Sequence, residues 1–285
     1  MILTMGDDDT NIENEIVGIL ENNGVIRRRD LIQWLIENHP NERGYTLPTL
    51  NRKIGQLVKS EKISIVKKLD FQMFGIVEDD ENASYLISQS ILEKKHHFEK
   101  VVNVIPKGTR ESVYAALNEI LLYSPRYLLT PVQLDHIVST LKFDEAVVSL
   151  ALQILYDSII LKRISPSNLK ALSINLKEVL LKLREIPEYR PQIRQTIHIL
   201  GYFQDDFVIE QLKFDAPRFD NGNIQIDDYI DGIMIPILEK NRSKLYNLER
   251  TFSSGGDDQA SKNIHEIRDR VLNPEKYGIY TKRSK

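Results

Sequence analysis

The apolar positions of residues 45–68 change period part-way along. In YTLPTLNRKIGQLVK, Leu50, Ile54, Leu57 and Val58 stand at i, i+4, i+7 and i+8, one stripe of a 3.6-residue helix. After Lys62 the run Ile63-Ser64-Ile65-Val66 is β-branched, which predicts a strand. At about 100° per residue, the helix side opposite the stripe carries Pro48, Thr49, Arg52, Gln56 and Lys59, flanked by Asn51 and Lys53.

The same reading extends in both directions. Asp9 and Thr10 are the expected caps of a first helix with Ile12, Ile16, Ile19 and Leu20 on one side, and Gly24 ends it. Val25-Ile26 predicts a short strand. Asp30 is the expected cap of a second helix carrying Leu31, Trp34, Leu35 and Ile36; residues 39–44 break it. Thr46 caps the third, with Pro48 in its first turn. Downstream, 73–77 and 84–87 read as two further strands. Either 73–77 pairs with 84–88, placing Glu78-Asp79-Asp80-Glu81-Asn82 at the tip, or 63–68 pairs with 72–77, with Leu69-Asp70-Phe71 at the tip.

Beyond Ser90 every periodic segment is helical. Helices are expected at 90–104, 110–123, from Thr130-Pro131, at 144–162, from Ser165-Pro166, and at 189–201, 206–214, 227–250 and 259–272, with 251–258 (TFSSGGDD) as a loop. Short loops favour antiparallel packing as a bundle or short solenoid. The last two helices read either as an arm that dimerises the chain or as helices packed on the bundle. The expected division is 10–90, 91–214 and a C-terminal arm over 227–275.

Composition narrows the function. The 285 residues are 41% hydrophobic, enough for a real core in two domains. The absence of cysteine excludes disulfides, thiol nucleophiles and cysteine-ligated zinc. No basic segment leads an apolar one at the start, and no apolar run reaches the roughly 18 residues of a membrane span. The expectation is a cytoplasmic protein with no membrane partner. Residues 1–90 hold ten basic and fifteen acidic side chains, yet 43–69 hold seven basic and one acidic. Such a basic island marks an electrostatic footprint for an anionic partner. Arg27, Arg28 and Arg29 make a second, shorter cluster.

Motifs for catalysis are absent: no GxGxxG, P-loop, HExxH or GxSxG occurs. His96 and His97 are adjacent and diverge on a helix, a poor metal pair. Asp205-Asp206 and Asp227, Asp228 and Asp231 stand at helix starts, where carboxylates complement the dipole. No enzyme activity, cofactor or metal is expected.

Residues 49–63, TLNRKIGQLVKSEKI, resemble the recognition-helix segment of winged helix-turn-helix transcription regulators, and the order of elements over about 80 residues is similar. The resemblance implies a fold that is mainly α with a small β wing: an N-terminal winged helix, then an all-α helical domain. It implies that the third helix enters the major groove of double-stranded DNA and that the wing touches backbone. On side-chain chemistry, Arg52 and Gln56 are the expected base readers. Thr49, Lys53 and Lys59 are the expected phosphate contacts, with Asn51 beside them. Lys67 and Lys68 join if they lie in the wing, and Arg27–Arg29 are further candidates. The helical domain would dimerise, hold a protein partner or sense a ligand. ILGYFQDDFVIEQL (199–212) is similar to one unit of HEAT-like repeats. The alternative is an adaptor whose first domain binds protein.

Overall fold

The computed structural model describes residues 7–71, 74–77, 83–123, 127–219 and 224–279. The chain is mainly helical with one small antiparallel sheet. It divides into two compact units, Met1–Lys100 and Val101–Lys285, so the segment 227–275 belongs to the second unit.

In the first unit, helix α1 (Asp7–Asn23) starts upstream of the expected caps Asp9 and Thr10 and ends where Gly24 takes φ 77°. Strand β1 (Ile26–Arg27) leads directly into α2 (Arg28–Asn38). Asp30 therefore lies in the first turn of α2, and Arg27 holds the cap position. Helix α3 (Leu47–Lys59) follows from Thr46 with Pro48 in its first turn. Strands β2 (Ile63–Ile65) and β3 (Tyr85–Ser88) precede α4 (Gln89–Val104). β3 is central, pairing antiparallel with β1 (Ile26 opposite Leu86) and with β2 (Ser64 opposite Ile87). The apolar stripes meet in one core: Ile12, Ile16 and Leu20 of α1, Leu31 and Leu35 of α2, and Leu50, Ile54 and Leu57 of α3, with Ile63 and Leu86 from the sheet.

Both expected hairpins are corrected. β2 pairs with β3, and Phe74–Val77 form no strand. The amides of Phe74 and Ile76 both donate to the Phe71 carbonyl (3.1 and 2.9 Å), and Gly75 sits at φ 66°. That left-handed residue turns the chain where an extended run was expected. Phe71 anchors the turn edge-on against Tyr85, ring centroids 5.4 Å apart, over a small cluster with Val66 and Ile87. Met73 and the acidic run 78–82 lie outside the described residues.

The second unit is helical throughout its described residues. Helix α5 (Arg110–Tyr123) is followed by α6 (Pro131–Ser139). Thr130 caps α6 in a reciprocal box with Gln133. α7 (Glu145–Tyr156), capped by Asp144, buries most of its sides and widens into a π turn at Asp157–Leu161. α8 (Leu169–Leu183) begins at Asn168, whose side chain accepts from the Ala171 amide at 2.9 Å, not at Ser165-Pro166. α9 (Arg190–Tyr202) and α10 (Phe207–Asp215) are joined by a turn at 203–206. Buried Asp215 accepts from Arg184 and from the Tyr229 hydroxyl.

The expected single helix 227–250 is corrected to three: α11 (Ile226–Tyr229), α12 (Ile235–Lys240) and α13 (Arg242–Ser254). The break has a local cause. Ile230 is extended, Asp231 Oδ1 accepts from the Ile233 and Met234 amides (2.7 and 3.1 Å), and Pro236 offers no N–H. The expected loop 251–258 shrinks to 255–257, because α13 runs to Ser254 and Asp257 caps α14 (Asp258–Leu272). Leu245, Ile264 and Ile267 are buried within this unit, and Asn263 Nδ2 donates to the Ala216 carbonyl at 2.8 Å. Leu245 of α13 and Ile264 and Ile267 of α14 are thus covered by their own chain, while Tyr246 and Leu272 stay exposed. Among the described residues no helix is long and apolar enough to cross a membrane.

Candidate nucleic-acid interface

The entry to α3 is held by a polar cluster. Glu15 of α1 meets His39 Nε2 at 2.8 Å and accepts from the Tyr45 hydroxyl at 2.5 Å; His39 stacks on Tyr45 with centroids 3.8 Å apart. The Glu15 hydrogen bond raises the His39 pKa, and burial raises that of Tyr45. At the turn, Gly44 takes φ 100°, and a Cβ there would stand 2.6 Å from Ile12 Cδ1. The turn therefore fixes where α3 starts relative to α1.

With Leu50, Ile54 and Leu57 inward, α3 turns Pro48, Arg52, Gln56 and Lys59 outward and leaves Thr49 half-buried. The side chains of Arg52, Gln56 and Lys59 make no hydrogen bond or ion pair among the described residues. They stand at i, i+4 and i+7, on one line along the helix. Lys67 and Lys68 are exposed just after β2, at a single 3-10 turn, Lys68–Asp70, whose Leu69 is 92% exposed.

Lys53 is corrected. It is 2% exposed and its Nζ lies 3.2 Å from Glu13 Oε1 on α1. The reason is its place in the stripe: i+3 from Leu50 and i−4 from Leu57 put it on the inward side, where a carboxylate of α1 receives it. Glu13 also meets Lys62 at 3.7 Å, so two cations of the basic island are already compensated within the unit.

The arginine cluster divides three ways. Arg27 lies in β1, half-buried and engaged. Arg28 Nη2 donates to Asn51 Oδ1 at 2.9 Å while the Arg28 amide donates to the Ser84 carbonyl at 2.8 Å. Asn51 Nδ2 in turn donates to the Leu47 carbonyl at 3.0 Å. Arg28 and Asn51 thus tie α2 to α3 and position the helix. Arg29 is exposed, 3.4 Å from Asp30.

Beside this tie lies an open concavity of about 560 Å³, with Ile32, Ile36 and Leu47 on its apolar part and Arg28, Arg29 and Ser84 among its polar lining. Leu47 and Ile36 were outside the sequence-derived site. The signal was present in Leu47, an apolar residue ahead of Pro48 and off the buried stripe. Among the described residues no group of three or more His, Asp or Glu side chains is placed to hold a metal ion. Comparison with family models, with curated proteins and with solved structures finds no match.

Proposed function

We propose that the protein is a DNA-binding transcription regulator whose first unit is a winged helix. The observation that carries this reading is the outward row Arg52, Gln56 and Lys59, exposed and without partners on a helix whose other side is core. In the proposed complex α3 lies in the major groove. The Arg52 fork bonds guanine and the Gln56 amide bonds adenine. Thr49, Lys59, Lys67, Lys68 and Arg29 meet phosphates. Lys53 takes no part, and Arg28 and Asn51 act by holding α3 in place. The second unit supplies a dimer contact, a partner surface or a ligand site.

The test is fluorescence anisotropy of the full chain on a labelled random-sequence duplex across a salt series, then on a selected site. Micromolar-range binding that weakens steeply with salt supports the reading; no binding near ~50 mM salt overturns it. The alternative, an adaptor that binds protein through this unit, is favoured by the apolar Ile32–Ile36–Leu47 surface, and it becomes the reading if DNA is not bound.

A further inference from the structure

Helix α9 carries Arg190, Arg194 and His198 at i, i+4 and i+8, one line along its length. All three line an open concavity of about 550 Å³, together with Tyr156, Gln195 and Asp228. That volume falls within the roughly 300–1,000 Å³ of small-molecule sites.

The lining is built, not incidental. Arg190 Nε lies 3.1 Å from Asp228 Oδ2, and its Nη2 donates to Gln225 Oε1 at 2.9 Å. Asp228 is buried and also accepts from the Gln225 amide at 2.7 Å. Arg190 is therefore held in one orientation with its charge partly balanced. Arg194 is exposed at the rim and forms no ion pair among the described residues. Gln195 Nε2 donates to Gln153 Oε1 at 2.8 Å, which fixes α9 against α7. Tyr156 is the last residue of α7 before the π turn Asp157–Leu161, a local widening that re-aims side chains and recurs at functional sites.

His198 is the second, independent observation. It is wholly buried, its Nδ1 is 3.1 Å from Asp231 Oδ2 but out of alignment, and neither ring nitrogen completes a hydrogen bond within the chain. Burial holds its pKa below the ordinary value, against the pull of Asp231 and the nearby Asp228 backbone. Both ring nitrogens are buried in the wall of the cavity. A buried polar group with poor hydrogen bonding is costly, and this one stands directly behind the surface of the cavity, where it senses what binds there.

We propose that this cavity binds a small organic anion, a carboxylate or a phosphate ester. Its anionic end sits on Arg194, with Arg190 behind it, and its body lies over the wall that His198 backs. The uncompensated Arg194 supplies the charge, and its planar fork suits an oxyanion. The site stands on residues of the second unit alone, so it holds whether or not the first unit binds DNA.

The experiment uses the full chain and two probes, inorganic phosphate and succinate, at constant ionic strength set with chloride. The readouts are the thermal midpoint and the His198 imidazole resonance in a histidine-labelled sample, assigned with His198→Asn. A saturable rise in midpoint together with a saturable His198 shift is the expected result. Response to phosphate alone assigns a phosphate ester, and response to succinate alone assigns a carboxylate. Arg194→Gln, an exposed change that leaves the fold intact, should weaken the apparent Kd about tenfold or more. The proposal is overturned if neither probe gives a saturable shift, or if Arg194→Gln responds as the unaltered chain does.

Discussion

Arg52 and Lys53 are adjacent cations with opposite surroundings, one in water and one beside Glu13 with 2% exposure. Their substitutions should therefore separate binding from stability. Arg52→Ala should lose about 1–3 kcal/mol at a selected DNA site and relax preference at one base pair, with an unchanged urea midpoint. Lys53→Gln should do the reverse. It leaves Glu13 short of its near partner and should cost up to about 3 kcal/mol of stability, the more so because Lys62 stands farther off. Titrations of both variants, paired with urea melts, check this; equal effects on binding would return Lys53 to the interface.

Two histidines give opposite pH signs. The His39 pKa is raised by Glu15. The stability it contributes is full below its unfolded value of 6.5 and is lost as pH rises through the raised one. The His198 pKa is lowered by burial. Its contribution is present above 6.5 and is lost as pH falls toward the lowered one. The single tryptophan, Trp34, reports the first unit. Its urea midpoint should fall as pH rises above 6.5, and His39→Gln should remove that fall. Helical circular dichroism is dominated by the second unit and should weaken on the acid side, less so in His198→Asn.

At the scale of elements, local signals place most helices and miss the breaks that long-range packing makes. Gly201 lies inside α9, where alanine would favour the helix by about 1 kcal/mol. Yet a Cβ there would collide with the buried Met234 sulfur. Gly201→Ala should therefore be destabilising by about 1–3 kcal/mol, the cost of overpacking. A thermal melt checks the sign; a raised midpoint would mean that Met234 repacks freely. The same stretch shows why 227–250 reads as one helix and folds as three. Its apolar periodicity is continuous, but the Asp231 turn and Pro236 interrupt the backbone hydrogen bonds. In the hairpin region the apolar run Phe74–Val77 looks like a strand, while Gly75 in the left-handed region and the Phe71 anchor make it a turn.

At the scale of the whole molecule, a net charge of −3 predicts little attraction to DNA, so the proposed complex rests on the local face alone. Four exposed cations, Arg29, Lys59, Lys67 and Lys68, meet phosphates in the proposed complex. Counterion release then gives a slope of log affinity against log salt of about −3 to −4, and Lys59→Ala should reduce it by about one. A slope near zero for the full chain would remove DNA from the reading.

The hydrophobic periods of the chain by themselves determined that it is mainly helical, that a small sheet follows the third helix, and that Arg52, Gln56 and Lys59 share an outward side. These follow from spacing within one element, which the order of residues carries directly. Tertiary structure alone decided that Lys53 turns inward to Glu13, that Arg28 holds Asn51, that β2 pairs with β3 across the connection from Val66 to Ser84, and that Leu245, Ile264 and Ile267 are covered by their own unit. It also decided that Tyr156, Arg190, His198 and Asp228 line one open concavity. Each of these depends on which elements meet, and contacts between distant segments leave no period in the sequence to read.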